Sequence, residues 1–368
     1  MDIVIFLPDL RTGGVERIML NLAKSLNANG EAVSIVVATR RGDFQNQVDD
    51  GINVVDLNIP RTPVGILGAV PYFATYIRKK QPDVIISSKP HANITAICSN
   101  ILSGKKSKTI VTEHDIKSDV LSYFGTKKTR ITFFLASHIY NYSDQIVAVS
   151  ESVKEDLVDT FNLNSEDVIV IHNPVITDDF HEKRNQATKF PYFNSDEYEV
   201  ILTVARLDPR KNIPGLINAV SMLEWDKKLK LVIFGEGRER ERLEKVIEED
   251  NLEDLVDLPG YTENPYPYMR EASVFVLPSL SEGLPTVLIE ALGCGCPIVA
   301  TECSSGPPEI LGNGEYGELV PTKNDQELAN SILKILSNPP DSEKLQKRSE
   351  DFSSDEISRE YMKLIKSI

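Results

Sequence analysis

The chain has only four cysteines in 368 residues, and they form no regular framework. A disulfide-stapled scaffold is thereby excluded, and a reducing compartment is expected. No apolar run reaches the roughly 18–20 residues that a membrane span requires. The chain opens Met1-Asp2, its first apolar stretch ends at Pro8, and neither a basic region nor a small-residue cleavage site is seen. The expectation is that this is not a secretory signal. There is no low-complexity tract and no internal repeat of roughly 20–50 residues. A Walker phosphate loop, a His-Glu-x-x-His metal motif and an Asp-x-Asp at a strand end are all missing. What remains is ordinary globular composition: 41% hydrophobic residues plus 20 glycines, which excludes disorder and collagen. The length is too great for one compact domain and comfortable for two.

Charge is spread unevenly. Up to residue 185 the chain holds 20 Lys and Arg against 22 Asp and Glu; beyond it, 20 against 33, for a total of −15. Nucleic acid is therefore not an expected partner. The near-neutral first half carries three basic clusters, Arg78-Lys79-Lys80, Lys105-Lys106-Lys108 and Lys127-Lys128-Arg130. On one shared face they could meet an anionic membrane surface or an anionic acceptor; singly they are solvated helix ends and loops.

The apolar pattern alternates between strand and helix. Ile3–Leu7 is a continuous apolar run, suited to a strand buried on both faces of a parallel sheet. After Gly13-Gly14, residues Val15, Ile18, Leu22 and Leu26 fall on one helical face, and Gly30 closes the unit. Further strands are predicted at Val33–Ala38, Asn53–Leu57, Val84–Ser87, Thr109–Thr112, Gln145–Val149 and Val168–Ile171. Between His172 and Glu199 the rhythm breaks around Pro174, Asp178-Asp179, Arg184-Asn185-Gln186 and Pro191, which reads as a linker. A second alternation follows, with strands at Val200–Val204, Leu231–Phe234, Val256–Leu258, Val274–Leu277 and Pro297–Ala300. Helices are predicted at Glu239–Glu249 and Pro285–Leu292. A final helix carries an apolar stripe of Ile357, Tyr361, Leu364 and Ile365.

The expected architecture is thus α/β, with two Rossmann-like, doubly wound domains facing across a cleft: residues 1–180, and residues 190–350. Ligands of such sheets bind outside the carboxyl ends of the strands, so the polar residues just past each strand are the candidates. The most informative segment runs from Ser279 to Ala291, after the strand Val274–Leu277. It places Glu282 in a loop and Glu290 eight positions on, inside the following helix. Amide groups near Gly283, Leu284 and Thr286 could bind a phosphate or a carboxylate at the helix N-terminus. Glu282 suits a hydroxyl-rich partner there, and Glu290 the vicinal hydroxyls of a ribose. Arg206 and Lys211 lie on the turn after Val200–Val204, where a diphosphate would need cations. Gly13 and Gly14 allow close backbone approach of a ligand. Phe234-Gly235-Glu236-Gly237 begins like a dinucleotide fingerprint, but Arg240 occupies the third glycine position, so NAD is not proposed. His114 follows a buried run beside Glu113 and Asp115 and is equally suited to function or to structure. Cys294, Cys296 and Cys303 have no nearby histidine to complete a tetrahedral site and read as packed thiols.

Together these residues resemble the retaining glycosyltransferases of family 4, which have the GT-B fold. The match is carried by Gly13–Glu16, by Arg206–Lys211, by Phe234–Gly237, and by the Glu-x7-Glu block from Glu282 to Glu290 continuing into Gly295–Thr301. The resemblance implies that Arg206 and Lys211 bind the donor diphosphate and stabilise the leaving nucleotide, with Glu282 on the sugar hydroxyls and Glu290 on the ribose. It implies that Gly283 and Leu284 offer amides to sugar and phosphate, that Gly13 and Gly14 approach the diphosphate or sugar, and that His114 reaches the sugar. The loop Gly260-Tyr261-Thr262 would border the nucleobase. It further implies an acceptor-binding first domain, joined by a terminal helix at about 352–368, and a donor-binding second domain. No cofactor and no metal ion are implied. One departure is the segment Ser305-Gly306-Pro307-Pro308-Glu309-Ile310, where many members are more plainly glycine-rich. This version resembles members that build bacterial surface polysaccharides and lipid-linked oligosaccharides from UDP-sugars.

The expected function is transfer of a hexose or N-acetylhexosamine from a UDP-sugar to a lipid-linked or polysaccharide-precursor acceptor. The expected place is the cytoplasm, with peripheral contact at the inner membrane face through the first domain. A nucleotide-sugar epimerase or hydrolase, and a non-catalytic nucleotide-sugar-binding subunit, are the alternatives on the same residues.

Overall fold

A computed structural model of the protein describes all residues except Thr12, 60–64 and Ser304. Thr12 of the first glycine loop and Ser304 of the segment after Thr301 therefore lie outside the described residues. The chain divides into two compact units, Met1–Val175 with Ser353–Ile368, and Ile176–Phe352.

The first unit is built on seven parallel strands: β1 (Asp2–Leu7), β2 (Ala32–Val37), β3 (Asn53–Asp56), β4 (Val84–Ser88), β5 (Lys108–Glu113), β6 (Gln145–Ala148) and β7 (Val168–Val170). Their order is β3-β2-β1-β4-β5-β6-β7. Residues Ile3 to Leu7 are fully buried, because helices cover both faces of the sheet. The register is continuous from Asp2 opposite Ala32 to Leu7 opposite Val37, and Ile3 lies opposite Val84 on the other side. Strand order reverses between β1 and β4, which opens a crevice at the carboxyl edge there. The terminal helix Ser354–Ser367 packs on the helix Gly14–Ala28. Its Ile357, Tyr361, Leu364 and Ile365 join the core under β1 and β2. The Ser25 hydroxyl seals the contact by donating to the Ser354 carbonyl at 2.9 Å.

The second unit has six parallel strands: β8 (Tyr198–Val204), β9 (Lys228–Phe234), β10 (Val256–Gly260), β11 (Val274–Leu277), β12 (Ile298–Thr301) and β13 (Glu318–Val320). Their order, β10-β9-β8-β11-β12-β13, puts the switch point between β8 and β11. The edge strand β13, three residues long, has no counterpart among the strands expected from the apolar pattern.

The supposed linker is corrected by the structure. Residues 176–199 pack into the second unit through aromatic side chains set among the turn formers. Phe180 and Phe193 are buried. Phe193 meets Tyr268 at 5.1 Å and Phe180 meets Tyr266 at 4.6 Å between ring centroids. The Tyr192 hydroxyl donates to Asp257 Oδ2 at 2.6 Å, and Arg184 Nη1 to the Gly293 carbonyl at 2.8 Å. The turn residues shape this segment; its rings anchor it.

Candidate functional site

The switch point of the second unit brings two of the candidate residues into direct contact. After β8 the chain makes a short 3-10 turn, Pro209–Lys211, started by Asp208, whose side chain accepts from the Arg210 amide at 3.0 Å. Lys211 emerges from this turn and forms a charge-assisted hydrogen bond with Glu282 Oε1 in the loop after β11. Both side chains are largely buried, at 17% and 11% exposure. The same two loops are stitched by the Leu280 amide, which donates to the Arg210 carbonyl at 2.7 Å. Arg206 stands differently: it is exposed, and no described residue forms an ion pair with it. An exposed cation at a switch point, on the same loop as one held by a carboxylate, is an arrangement able to receive a second anion.

Glycines of the motif Phe234–Gly237 prove to be steric. Gly235 has φ +142°, and a Cβ there would lie 1.8 Å from the Ala205 carbonyl oxygen. A Cβ on Gly237 would lie 2.3 Å from the Leu207 carbonyl oxygen. The end of β9 therefore passes directly against the backbone that carries Arg206. Bonds from Ala205 N–H to the Phe234 carbonyl, 3.0 Å, and from Leu207 N–H to the Glu236 carbonyl, 2.9 Å, fix that passage.

The loop from Ser279 to Pro285 is braced from behind by Thr301, Ser305 and Gly306, for which the motifs implied no role. Thr301 donates its hydroxyl to the Ser279 carbonyl, and Ser305 donates to the Glu282 carbonyl. Gly306, at φ +80°, lies so close that a Cβ would meet Pro285 Cδ at 2.5 Å and the Gly283 carbonyl at 2.7 Å. The Ser305-Gly306 departure thus has a local reason: it is the support of the Glu282 loop. Gly283 and Leu284 are buried in that loop, just before the helix Thr286–Cys294. Glu290 lies within the helix, 7% exposed, and accepts from the Tyr266 hydroxyl at 3.5 Å. Tyr261, past the end of β10, is 57% exposed. Cys294, Cys296 and Cys303 are buried, and burial pushes all three thiols up, Cys303 to about 12. They are protonated packing groups at neutral pH. Among the described residues no group of three or more His, Cys, Asp or Glu could hold a metal ion.

In the first unit, Gly13 precedes the helix Gly14–Ala28 in an extended conformation. A Cβ there would sit 2.4 Å from Glu16 Oε2. Glu16, 4% exposed, is paired with Lys89, which follows β4 and adopts φ +77°. That backbone conformation is rare for a lysine and marks a constrained position at the carboxyl edge. His114 follows β5, with Nε2 3.1 Å from the Thr112 hydroxyl. Burial, then the nearby Lys117 and Lys89 cations, hold its imidazole down to about 4 against the pull of Asp115, so the ring is neutral at pH 7. Beneath it lies a buried polar network absent from the sequence reading. Lys117 Nζ is 2.5 Å from Glu113 Oε2, Tyr140 donates to Glu113, and Asn93 Nδ2 donates to the Thr112 carbonyl at 3.0 Å. The network fixes the end of β5 and so the residue after it. Isolated polar letters in the sequence gave no sign of it, since its members come from four separate elements.

Two doubly wound units, each with polar loops at its strand-order reversal, give the chain the two-domain α/β architecture of the GT-B fold. Residues 12–179 match the family model described as Glycosyltransferase Family 4, and residues 185–352 the one described as Glycosyl transferases group 1. The chain belongs to these glycosyltransferases. It is 29% identical, over 98% of both chains, to a Campylobacter jejuni N-acetylgalactosaminyltransferase named for the substrate N-acetylgalactosamine-N,N'-diacetylbacillosaminyl-diphospho-undecaprenol. It is 24% identical to a Staphylococcus aureus poly(ribitol-phosphate) alpha-N-acetylglucosaminyltransferase, covering 86% of this chain and 57% of that one. Among solved structures, Anabaena HepE in complex with UDP superposes with a TM-score of 0.79 at 19% identity over 100% of both chains. The similarity to HepE speaks for the fold.

Proposed function

We propose that the chain is a retaining glycosyltransferase that moves a hexose or N-acetylhexosamine from a UDP-sugar to a lipid-linked or polysaccharide-precursor acceptor at a membrane surface. The observation that carries the donor site is the Lys211–Glu282 pair across the β8–β11 switch point, with exposed Arg206 on the same loop. In this reading Arg206 and Lys211 hold the diphosphate, and amides of Gly283 and Leu284 add dipoles to it. Glu282 holds sugar hydroxyls, Glu290 the ribose, and Tyr261 borders the base. We assign Gly13, Gly14 and neutral His114 of the first unit to contacts with the sugar and its diphosphate.

The reaction breaks the bond between the sugar's anomeric carbon and the β-phosphate oxygen, and forms one to the acceptor oxygen on the same face. The acceptor's proton passes to the departing phosphate oxygen. Cations offset the charge that grows on that phosphate, while Glu282 lies near the oxocarbenium-like sugar. No divalent ion is needed in this scheme. Several relatives are named for α-linked products or α-transferases, which agrees with retention from α-configured UDP-sugars. The relatives named for undecaprenol-linked substrates support the lipid-linked acceptor.

The test is a panel of UDP- and GDP-sugars assayed by thermal shift, then by product analysis with and without undecaprenyl-diphosphate-linked saccharide. The reading expects stabilisation by a UDP-sugar and an α-linked product only with acceptor present. Epimer formation or rapid hydrolysis without acceptor would establish the other chemistry on these residues.

A further inference from the structure

The three basic clusters of the first unit do not share one face. Arg78-Lys79-Lys80 end the helix that leads into β4, and Lys105, Lys106 and Lys108 lie at the start of β5, so both sit at the amino edge of the sheet. Asp83 and Asp144 are interspersed with them, and Lys108 pairs with Asp144 at 3.1 Å. The third cluster opens the helix Lys127–Ile139 and reaches the carboxyl edge, where burial first, then Lys89 and Lys128, depress His91 at the start of the helix Pro90–Ser103 that follows β4.

That helix has one face packed and one open. Phe133 and Ala136 are buried against the rest of the unit. On the opposite side, Lys127, Arg130, Ile131, Phe134 and His138 form a single exposed stripe at helical spacing. Ile131 is 61% and Phe134 65% exposed, more than any other large apolar side chains of the described residues. Tyr123 of the preceding helix Lys117–Phe124 is also exposed, at 43%. The helix contains no acidic residue, and none of Lys127, Lys128 or Arg130 is ion-paired among the described residues. In a chain of net charge −15 this is a local reversal of sign with apolar groups set between the cations.

We propose that this helix face docks the enzyme on a bilayer containing anionic phospholipid, Ile131 and Phe134 entering the interface while Lys127 and Arg130 meet lipid phosphates. A nucleic acid or an acidic protein would satisfy the cations and leave the two apolar side chains without purpose; a bilayer satisfies both. The amino-edge clusters are the weaker candidate, since they are mixed with carboxylates and lie at the sheet end opposite the ligand edge. Docking through the helix instead places the carboxyl edge of the first unit, with His91 and His114, beside the lipid surface. This deepens the reading of a lipid-linked acceptor, and its assay does not depend on turnover.

The experiment is cosedimentation of the full chain with phosphatidylglycerol–phosphatidylcholine vesicles and with pure phosphatidylcholine vesicles. Three variants are compared: K127Q/R130Q, I131S/F134S, and the amino-edge K79Q/K105Q. At roughly 1 kcal/mol per surface cation, K127Q/R130Q should lose about 30-fold in affinity for the anionic vesicles and most of the salt dependence. I131S/F134S should weaken binding at high salt as well as low, while K79Q/K105Q should bind like the wild type. UDP binding, read by calorimetry, should be the same in all of them, which reports intact folding apart from membrane contact. Unchanged vesicle binding by K127Q/R130Q and I131S/F134S, or loss in K79Q/K105Q alone, overturns the proposal while leaving the donor-site reading in place. Failure of UDP to bind any form, with vesicle binding behaving as expected, would do the reverse.

Discussion

Glu282→Gln should have opposite effects on nucleotide affinity and on turnover. Lys211 is engaged by Glu282, so a diphosphate at this position meets a carboxylate as well as a cation. Removing that carboxylate's charge relieves a like-charge interaction worth about 1–2 kcal/mol at the effective dielectric of a partly exposed site, or roughly five- to thirtyfold in UDP affinity. The loss of its acceptor strength towards sugar hydroxyls should at the same time lower kcat by about a hundredfold. Stability supplies an independent check. Lys211→Met strands Glu282, which is 11% exposed, and should cost about 2–3 kcal/mol, less than the loss at a fully buried pair because some water remains. In the double variant the stranded charge is gone, so the two costs should fall short of adding by about 1–2 kcal/mol. Urea unfolding of the four forms gives the cycle, and UDP calorimetry with initial rates gives the rest. Strict additivity, together with weaker UDP binding by Glu282→Gln, would refute a coupled anion-receiving pair.

Gly235→Ala drives a methyl group to within 1.8 Å of the Ala205 carbonyl at φ +142°, and should destabilise the protein by about 2–4 kcal/mol in urea unfolding. UDP affinity should fall with it, because the displaced backbone carries Arg206. Acid should weaken the fold before the carboxylates titrate: His91 and His114 are each held from 6.5 down to about 4. The unfolded chain binds protons there that the native chain refuses, so this stability is complete above pH 6.5 and declines towards pH 4. It amounts to about 2–3 kcal/mol for each ring. His114→Asn should flatten the pH dependence of unfolding between pH 6.5 and 4.5; an unchanged slope would show that the ring titrates normally.

The doubly wound plan was legible because strands buried on both faces leave runs such as Ile3–Leu7 and Val200–Val204, which few other structures require. The short strand β13 left no such run: it lies at the sheet edge and starts with Glu318. Composition misled at residues 176–199, where Pro191 and a dense run of charges mask the buried rings of Phe180 and Phe193. At the site, the loops could be placed by strand ends, and Glu282 with Lys211 named, from local pattern alone. Their contact spans 71 positions and becomes visible only when β8 and β11 are adjacent. The braces from Thr301, Ser305 and Gly306 are hidden for the same reason. Gly235 and Gly237 were noticed for a ligand-binding resemblance, whereas the space they leave is filled by the chain itself.

The central claim is that cations on the β8 loop grip the diphosphate of the donor. Its most direct test is calorimetric titration of UDP into the wild-type chain and into Arg206→Ala/Lys211→Ala, with circular dichroism confirming that both are folded. Two charge-assisted contacts at about 1.5–3 kcal/mol each predict a loss of at least a hundredfold in affinity. Equal affinity in the two folded proteins would contradict it.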